Sequence, residues 1–137
     1  SLQMEDGTEW MFYQLRRKDG SRDAHSAGSF VDEKGHAVTL SAGDFEMTPL
    51  ERWSSPTTGA HYPTRWRIRA PRMDLDVEIS AALSQQEMVT KETTGVNYWE
   101  GSTIVTGSRS GKRVDGRGYL EMTGYAGPPP SNLYSAP

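Results

Sequence analysis

Cysteine is missing from all 137 residues, which excludes disulfides, thiolate metal sites and cysteine nucleophiles. Histidine is scarce: His25, His36 and His61 are scattered without ligand spacing, so neither a metal nor a cofactor site is expected. Positive charge is not in excess either. Lys and Arg total 15 against 18 Asp and Glu, a net charge of −3, which argues against nucleic acid as a partner because phosphate neutralisation needs clustered cations. No apolar run approaches the ~20 residues of a membrane-spanning helix, and the opening lacks a signal-peptide pattern. The hydrophobic fraction of 34% is low for a helical domain, and the length suits one domain.

Turn formers are plentiful instead, with 14 Gly and 8 Pro. Asp6-Gly7, Asp19-Gly20, Lys34-Gly35, Thr58-Gly59, Ser110-Gly111 and Asp115-Gly116 cut the chain into runs of hairpin length, since Gly accepts the positive φ that tight turns demand. Strands are expected over Ser1–Glu5, Thr8–Arg17, Ser26–Asp32, His36–Ser41, Phe45–Leu50, Tyr62–Ala70, Met73–Ser80, Met88–Thr93, Asn97–Gly107 and Gly116–Tyr125. The one helical candidate is a short stretch at Ser80–Gln86. Such a succession of hairpins predicts an all-β fold, an antiparallel barrel of about eight to nine strands; a two-sheet sandwich is the rival topology. The expected domain is 1–127, followed by a Pro-rich extended tail at 128–137, where proline cannot donate to a ladder. Ser1-Leu2-Gln3-Met4-Glu5 reads as strand and not as an initiator region, which suggests a piece of a longer chain.

The sharpest local pattern lies in Tyr62–Ser80. Arg65, Arg67 and Arg69 alternate with Trp66, Ile68 and Ala70, and Asp74, Asp76 and Glu78 alternate with Met73, Leu75, Val77 and Ile79. A hairpin about Pro71-Arg72 would set Arg69 against Asp74, Arg67 against Asp76 and Arg65 against Glu78, with the apolar sets meeting on the other face. Proline does not suit a primed two-residue turn, which leaves room for a longer loop. The arginine stripe is then a solvated outer face neutralised by its neighbour, and an anion site is the less favoured reading.

Two strands carry candidate chemistry. In Asn97-Tyr98-Trp99-Glu100-Gly101, Tyr98 and Glu100 share a face. A glutamate on an apolar inner face has its charged form disfavoured and can act as a general acid. In Gly118–Tyr125, Tyr119 and Glu121 share a face opposite Leu120 and Met122. If the two strands pair, Glu121 comes near Glu100, and both are the candidate catalytic carboxylates. The competing reading makes Glu100 a satisfied structural residue and Glu121 a surface one. Trp53, Tyr62 and Trp66, around the turn-rich Trp53–Gly59 segment, are candidate wall residues of a ligand cavity together with Tyr98 and Tyr119; alternatively they pin a loop. Gln85-Gln86-Glu87 suggests no more than a polar connection or a rim.

Taken together, Trp53–Gly59, Tyr62–Trp66, Gln86-Glu87, Tyr98–Gly101 and Gly116–Tyr125, with the opening hairpin Ser1–Arg16, resemble the C-terminal half of the AttH and carotenoid 1,2-hydratase family. The resemblance covers about Ser1 to Tyr125 and rests on the combination of segments. It implies a lipocalin-like barrel paired with an N-terminal barrel not present in this sequence, and a hydrophobic, isoprenoid- or lipid-like small molecule as partner. For hydratase members it implies addition of water across a carbon–carbon double bond. That chemistry needs a neutral acid and aromatic rings to stabilise a carbocation. The family's acid/base residues are expected to lie in the absent part, leaving an isolated half inactive. A non-catalytic binding or structural module is the alternative. The resemblance favours a bacterial periplasmic, secreted or membrane-peripheral setting, and a homo-oligomer stays open.

Overall fold

The computed structural model describes residues 1–90 and 95–127; the expected Pro-rich tail lies outside them. Its strands are β1 (Leu2–Met4), β2 (Glu9–Tyr13), β3 (Ala27–Val31), β4 (Ala37–Ser41), β5 (Glu46–Ser54), β6 (His61–Ala70), β7 (Leu75–Ala81), β8 (Glu87–Met88), β9 (Tyr98–Arg109) and β10 (Lys112–Thr123). Among the described residues the sole helical element is a 3₁₀ turn at Pro71–Met73. The expected helix at Ser80–Gln86 is not formed: β7 runs through Ala81, and the chain continues to β8 without a helical turn. Of the strand expected over Met88–Thr93, Met88 alone belongs to β8, and residues 91–93 are outside the described set.

Antiparallel pairing gives the order β4-β3-β2-β1-β10-β9-β7-β6-β5, with β8 added beside β9. The sheet is all-β and lipocalin-like, curled about one core. Its margins β4 and β5 do not pair among the described residues, and the sheet stays open along that line. Phe45 is buried there, its ring 5.1 Å from Phe12, and its carbonyl accepts a 2.6 Å bond from Arg22. The edge strand β5 is protected against further pairing by Pro49 and by register breaks between Pro49 and Arg52.

Alternation fixes what is inside. In β6 and β7, Trp66, Ile68, Ala70, Leu75, Val77 and Ile79 are buried. Each large apolar side chain contributes about 1.5–3 kcal/mol on burial. The β6–β7 register is two residues off the sequence expectation: Arg69 faces Asp76, Arg67 faces Glu78 and Arg65 faces Ser80. The cause is the turn, which takes Pro71–Met73 in 3₁₀ form and then Asp74 at φ +50°. A shift of two keeps every side chain on its face. The expected ion pairs Arg67–Asp76 (2.7 Å) and Arg65–Glu78 (2.5 Å) therefore survive as diagonal contacts.

The spine is the β9–β10 hairpin, turned at Ser110-Gly111 with both residues at positive φ. Asp115-Gly116, expected as a turn, lies within β10 opposite Thr106 and Val105. Gly116 is needed for closeness: a Cβ there would sit 2.5 Å from the Gln3 carbonyl of β1.

Candidate functional site

The interior holds a cavity of about 490 Å³. Its inner wall is apolar, built from residues such as Phe12, Met47, Trp66, Ile79, Leu120 and Met122 on β2, β5, β6, β7 and β10. It opens beside the end of β1, between β2 and β10, where Ser1, Tyr13, Leu15, Tyr119 and Glu121 border it. Tyr125 stands at one side. Arg16 lies over its ring at 3.8 Å and donates through Nη2 to the carbonyls of Thr123 (3.1 Å) and Gly124 (3.3 Å). Burial raises the Tyr125 phenol above its usual pKa of 10.0.

Behind Tyr125 lies a polar cluster. The Tyr62 ring, fully buried, packs 5.5 Å from Tyr125 and stacks on Trp53 at 6.3 Å. Its hydroxyl donates to Glu87 Oε1 at 2.9 Å, and Thr58 donates to the same oxygen at 2.6 Å. Ser55 donates to Oε2 and accepts backbone N–H bonds from Thr57 and Thr58, both 3.1 Å. One carboxylate thus ties β8 to the 55–60 loop and to β6. Burial first, then the hydrogen bond and charge of Glu87, push the Tyr62 hydroxyl far above its usual range. Glu87 sits where it does because β8 pairs with Trp99 and Tyr98 of β9. Gly101 leaves space beside it: a Cβ on Gly101 would meet Gln86 Cγ at 3.1 Å.

The sequence candidates divide between these places. Trp66 lines the cavity. Tyr62 and Trp53 belong to the polar cluster and its packing. Tyr98, Glu100, Tyr119 and Glu121 lie on the other side of the sheet. Along β9 the buried positions are Trp99, Gly101, Thr103 and Val105, and along β10 Val114, Leu120 and Met122. Tyr98 and Glu100 are consequently half-buried on the outer face, where Tyr119 is half-exposed and Glu121 exposed. The strands do pair as expected, with Glu100 directly opposite Glu121. The expectation that these strands turn both carboxylates toward the enclosed space is not met, because Trp99 takes the interior and forces its neighbours out. On that outer face desolvation, followed by the charge of Glu100 and a hydrogen bond to it, raises the Tyr119 phenol. Tyr119 and Glu121 still border the cavity's opening.

Glu87 is the residue that sequence reasoning passed over. The available signal was positional: Gln86-Glu87 stands among the segments that carry the family resemblance, as do its partners Ser55, Thr58 and Tyr62.

Fold and cavity together define a lipocalin-like antiparallel β-barrel domain. More narrowly, the AttH-like family model matches residues 1–125, and the chain belongs to that family. Two solved structures are similar. One is a candidate AttH from Nitrosomonas europaea, 30% identical over 91% of this chain with a TM-score of 0.79. The other is kievitone hydratase from Nectria haematococca, 19% identical over 89% of this chain with a TM-score of 0.70, a likeness of fold. This chain spans 37% of the length of each. No curated protein matches it.

Proposed function

We propose that this domain holds a hydrophobic small molecule of isoprenoid or lipid type in its interior, as one barrel of a longer hydratase-related protein. The observation that carries this reading is the apolar cavity of about 490 Å³, within the ~300–1,000 Å³ common for small-molecule sites. Binding is favoured over catalysis within this domain alone. Glu100 is on the outer face, and among the described residues Glu121 is the one carboxylate bordering the cavity, at its opening. Hydration of a carbon–carbon double bond, the chemistry carried by hydratase members of the family, would draw its acid from Glu121 or from the rest of the longer protein. The aromatic wall at Trp66 would favour a developing cation by ~0.5–2 kcal/mol.

Retinol, an isoprenoid alcohol that quenches tryptophan emission, tests the reading because Trp66 is in the wall. Saturable quenching is expected. Leu120→Phe, which projects a ring into the cavity, should weaken binding by about tenfold or more, equivalent to ~1.4 kcal/mol. Quenching that does not saturate, or that ignores Leu120→Phe, would overturn it.

A further inference from the structure

We infer that Arg16 is the head-group anchor of the interior site, and that the molecule held there carries a carboxylate at the end of an apolar chain. This rests on the reading of the interior as a small-molecule site, and it narrows the occupant to an isoprenoid or fatty acid. The cavity wall is apolar and by itself fixes no orientation of a ligand. A small number of placed polar groups does that in such sites. Among the described residues bordering the cavity, Arg16 is the one with a cationic side chain. It follows β2 and reaches across to the Thr123 and Gly124 carbonyls at the end of β10.

Arg16 is held at both ends. At the backbone, the Leu15 amide donates to the Ser26 hydroxyl at 3.0 Å, and Ser26 is buried. The Asp23 amide donates to the Leu15 carbonyl at 2.8 Å, and Arg16 itself bridges to Arg22 across the same loop. At the tip, Nη2 donates to the two β10 carbonyls while the Tyr125 ring lies under the guanidinium at 3.8 Å. Those bonds use one nitrogen. Nε and Nη1 have no hydrogen-bond partner among the described residues. An arginine already ordered in this way binds an anion with little further loss of side-chain freedom.

Charge selects the head group. A guanidinium with donors to spare takes an ionised oxygen in preference to a neutral one, because charge-assisted hydrogen bonds are roughly twice as strong. One carboxylate matches one guanidinium, whereas a phosphate monoester would leave much of its second charge unmatched. Glu121, the one carboxylate bordering the cavity among the described residues, is exposed, so water and salt screen its repulsion. The direction of the tail follows from β6. That strand starts beside Tyr125, where Tyr62 packs 5.5 Å from its ring, and runs away past Trp66 to Ile68, both in the cavity wall. An acid anchored at Arg16 would lay its apolar chain along that course.

The test varies ligand and residue together. Tryptophan quenching gives the affinities of retinoic acid, methyl retinoate and retinol for the 137-residue chain and for Arg16→Gln, at about pH 8, where a carboxyl group is ionised. In the unchanged chain the acid should bind about tenfold or more tighter than its ester or retinol. Arg16→Gln should bring the acid-to-ester ratio to within about threefold of one, a change that a role confined to joining β2 and β10 would not produce. Arg16→Lys, which keeps the charge and loses the planar fork, gives a second reading should Arg16→Gln not fold: the preference should shrink by about threefold or more. An ester that binds the unchanged chain as tightly as the acid would overturn the inference, as would an acid preference that either variant leaves intact. Saturable retinol quenching without an acid preference removes this inference alone. Quenching that saturates with none of the three removes the interior reading with it.

Discussion

At the scale of single residues, Glu87 has the most consequence. Three hydroxyl donors converge on its carboxylate from Ser55, Thr58 and Tyr62. Removing one donor and removing the acceptor therefore differ in cost. Tyr62→Phe deletes one hydrogen bond to a charged group and should lower unfolding free energy by about 1.5–3 kcal/mol. Glu87→Ala strands three donors and should cost more, ~3 kcal/mol or above, both read from urea denaturation. Alkaline titration of the phenol separates the two causes of its shift. In Glu87→Gln the Tyr62 pKa should fall yet remain above the ordinary 10.0, because burial is the larger cause. In the sequence Glu87 shows a Gln-Gln-Glu run and a place among the segments that carry the family resemblance, and neither names its partners. A carboxylate becomes a hub when strands remote in the chain bring hydroxyls to it, and that is a property of pairing.

At the scale of elements, the β6–β7 hairpin was legible in the sequence down to which side chains share a face. It was illegible in its register, since the choice between two settings two residues apart rests on turn geometry at Pro71–Asp74. The β9–β10 pair shows the opposite failure. Its pairing was legible, but not which face is inner, because the two faces of β9 offer similar evidence. One carries Trp99, Gly101, Thr103 and Val105, the other Tyr98, Glu100, Ser102 and Ile104. Each has an aromatic, a β-branched aliphatic and a small polar residue. Burial across the sheet decides the matter, enclosing Trp99 and Val105 completely, and on the same face Gly107 admits the backbone of β7. A Cβ on Gly107 would lie 2.3 Å from the Asp76 carbonyl and 2.6 Å from Val77 Cα. Gly107→Ala must push β7 from β9, and thermal or urea unfolding should show a loss of about 2 kcal/mol or more.

At the scale of the whole molecule, electrostatics sets the pH range of stability. Asp23 and Asp32 are held below the usual 3.8, first by backbone N–H bonds from His25 and His36. Asp44 is held down by the Ser41 hydroxyl and Asp76 by Arg67. Groups with folded pKa values below the unfolded one contribute fully above it and lose that contribution as pH falls. Tyr62 and Tyr125 are shifted the other way, so their contribution is complete below 10.0 and lost as pH rises past it. The urea midpoint should be level between about pH 5 and 8, fall below about pH 4 and fall again above about pH 10. A midpoint that stays level down to about pH 2 would show that these bonds persist in the unfolded chain.

What the residue order determined by itself was whatever depends on neighbours along the chain. Period-two alternation made the strands, Gly after Asp or Ser set the turns at Gly7 and Gly111, and opposed charges neutralised the outer face of β6 and β7. Only the tertiary structure decided the rest: that Trp99 and not Glu100 occupies the interior, and that Glu87 gathers three hydroxyls. These depend on which strands lie across the barrel from one another. Burial and hydrogen-bond satisfaction are settled among groups far apart in sequence, where local periodicity carries no information.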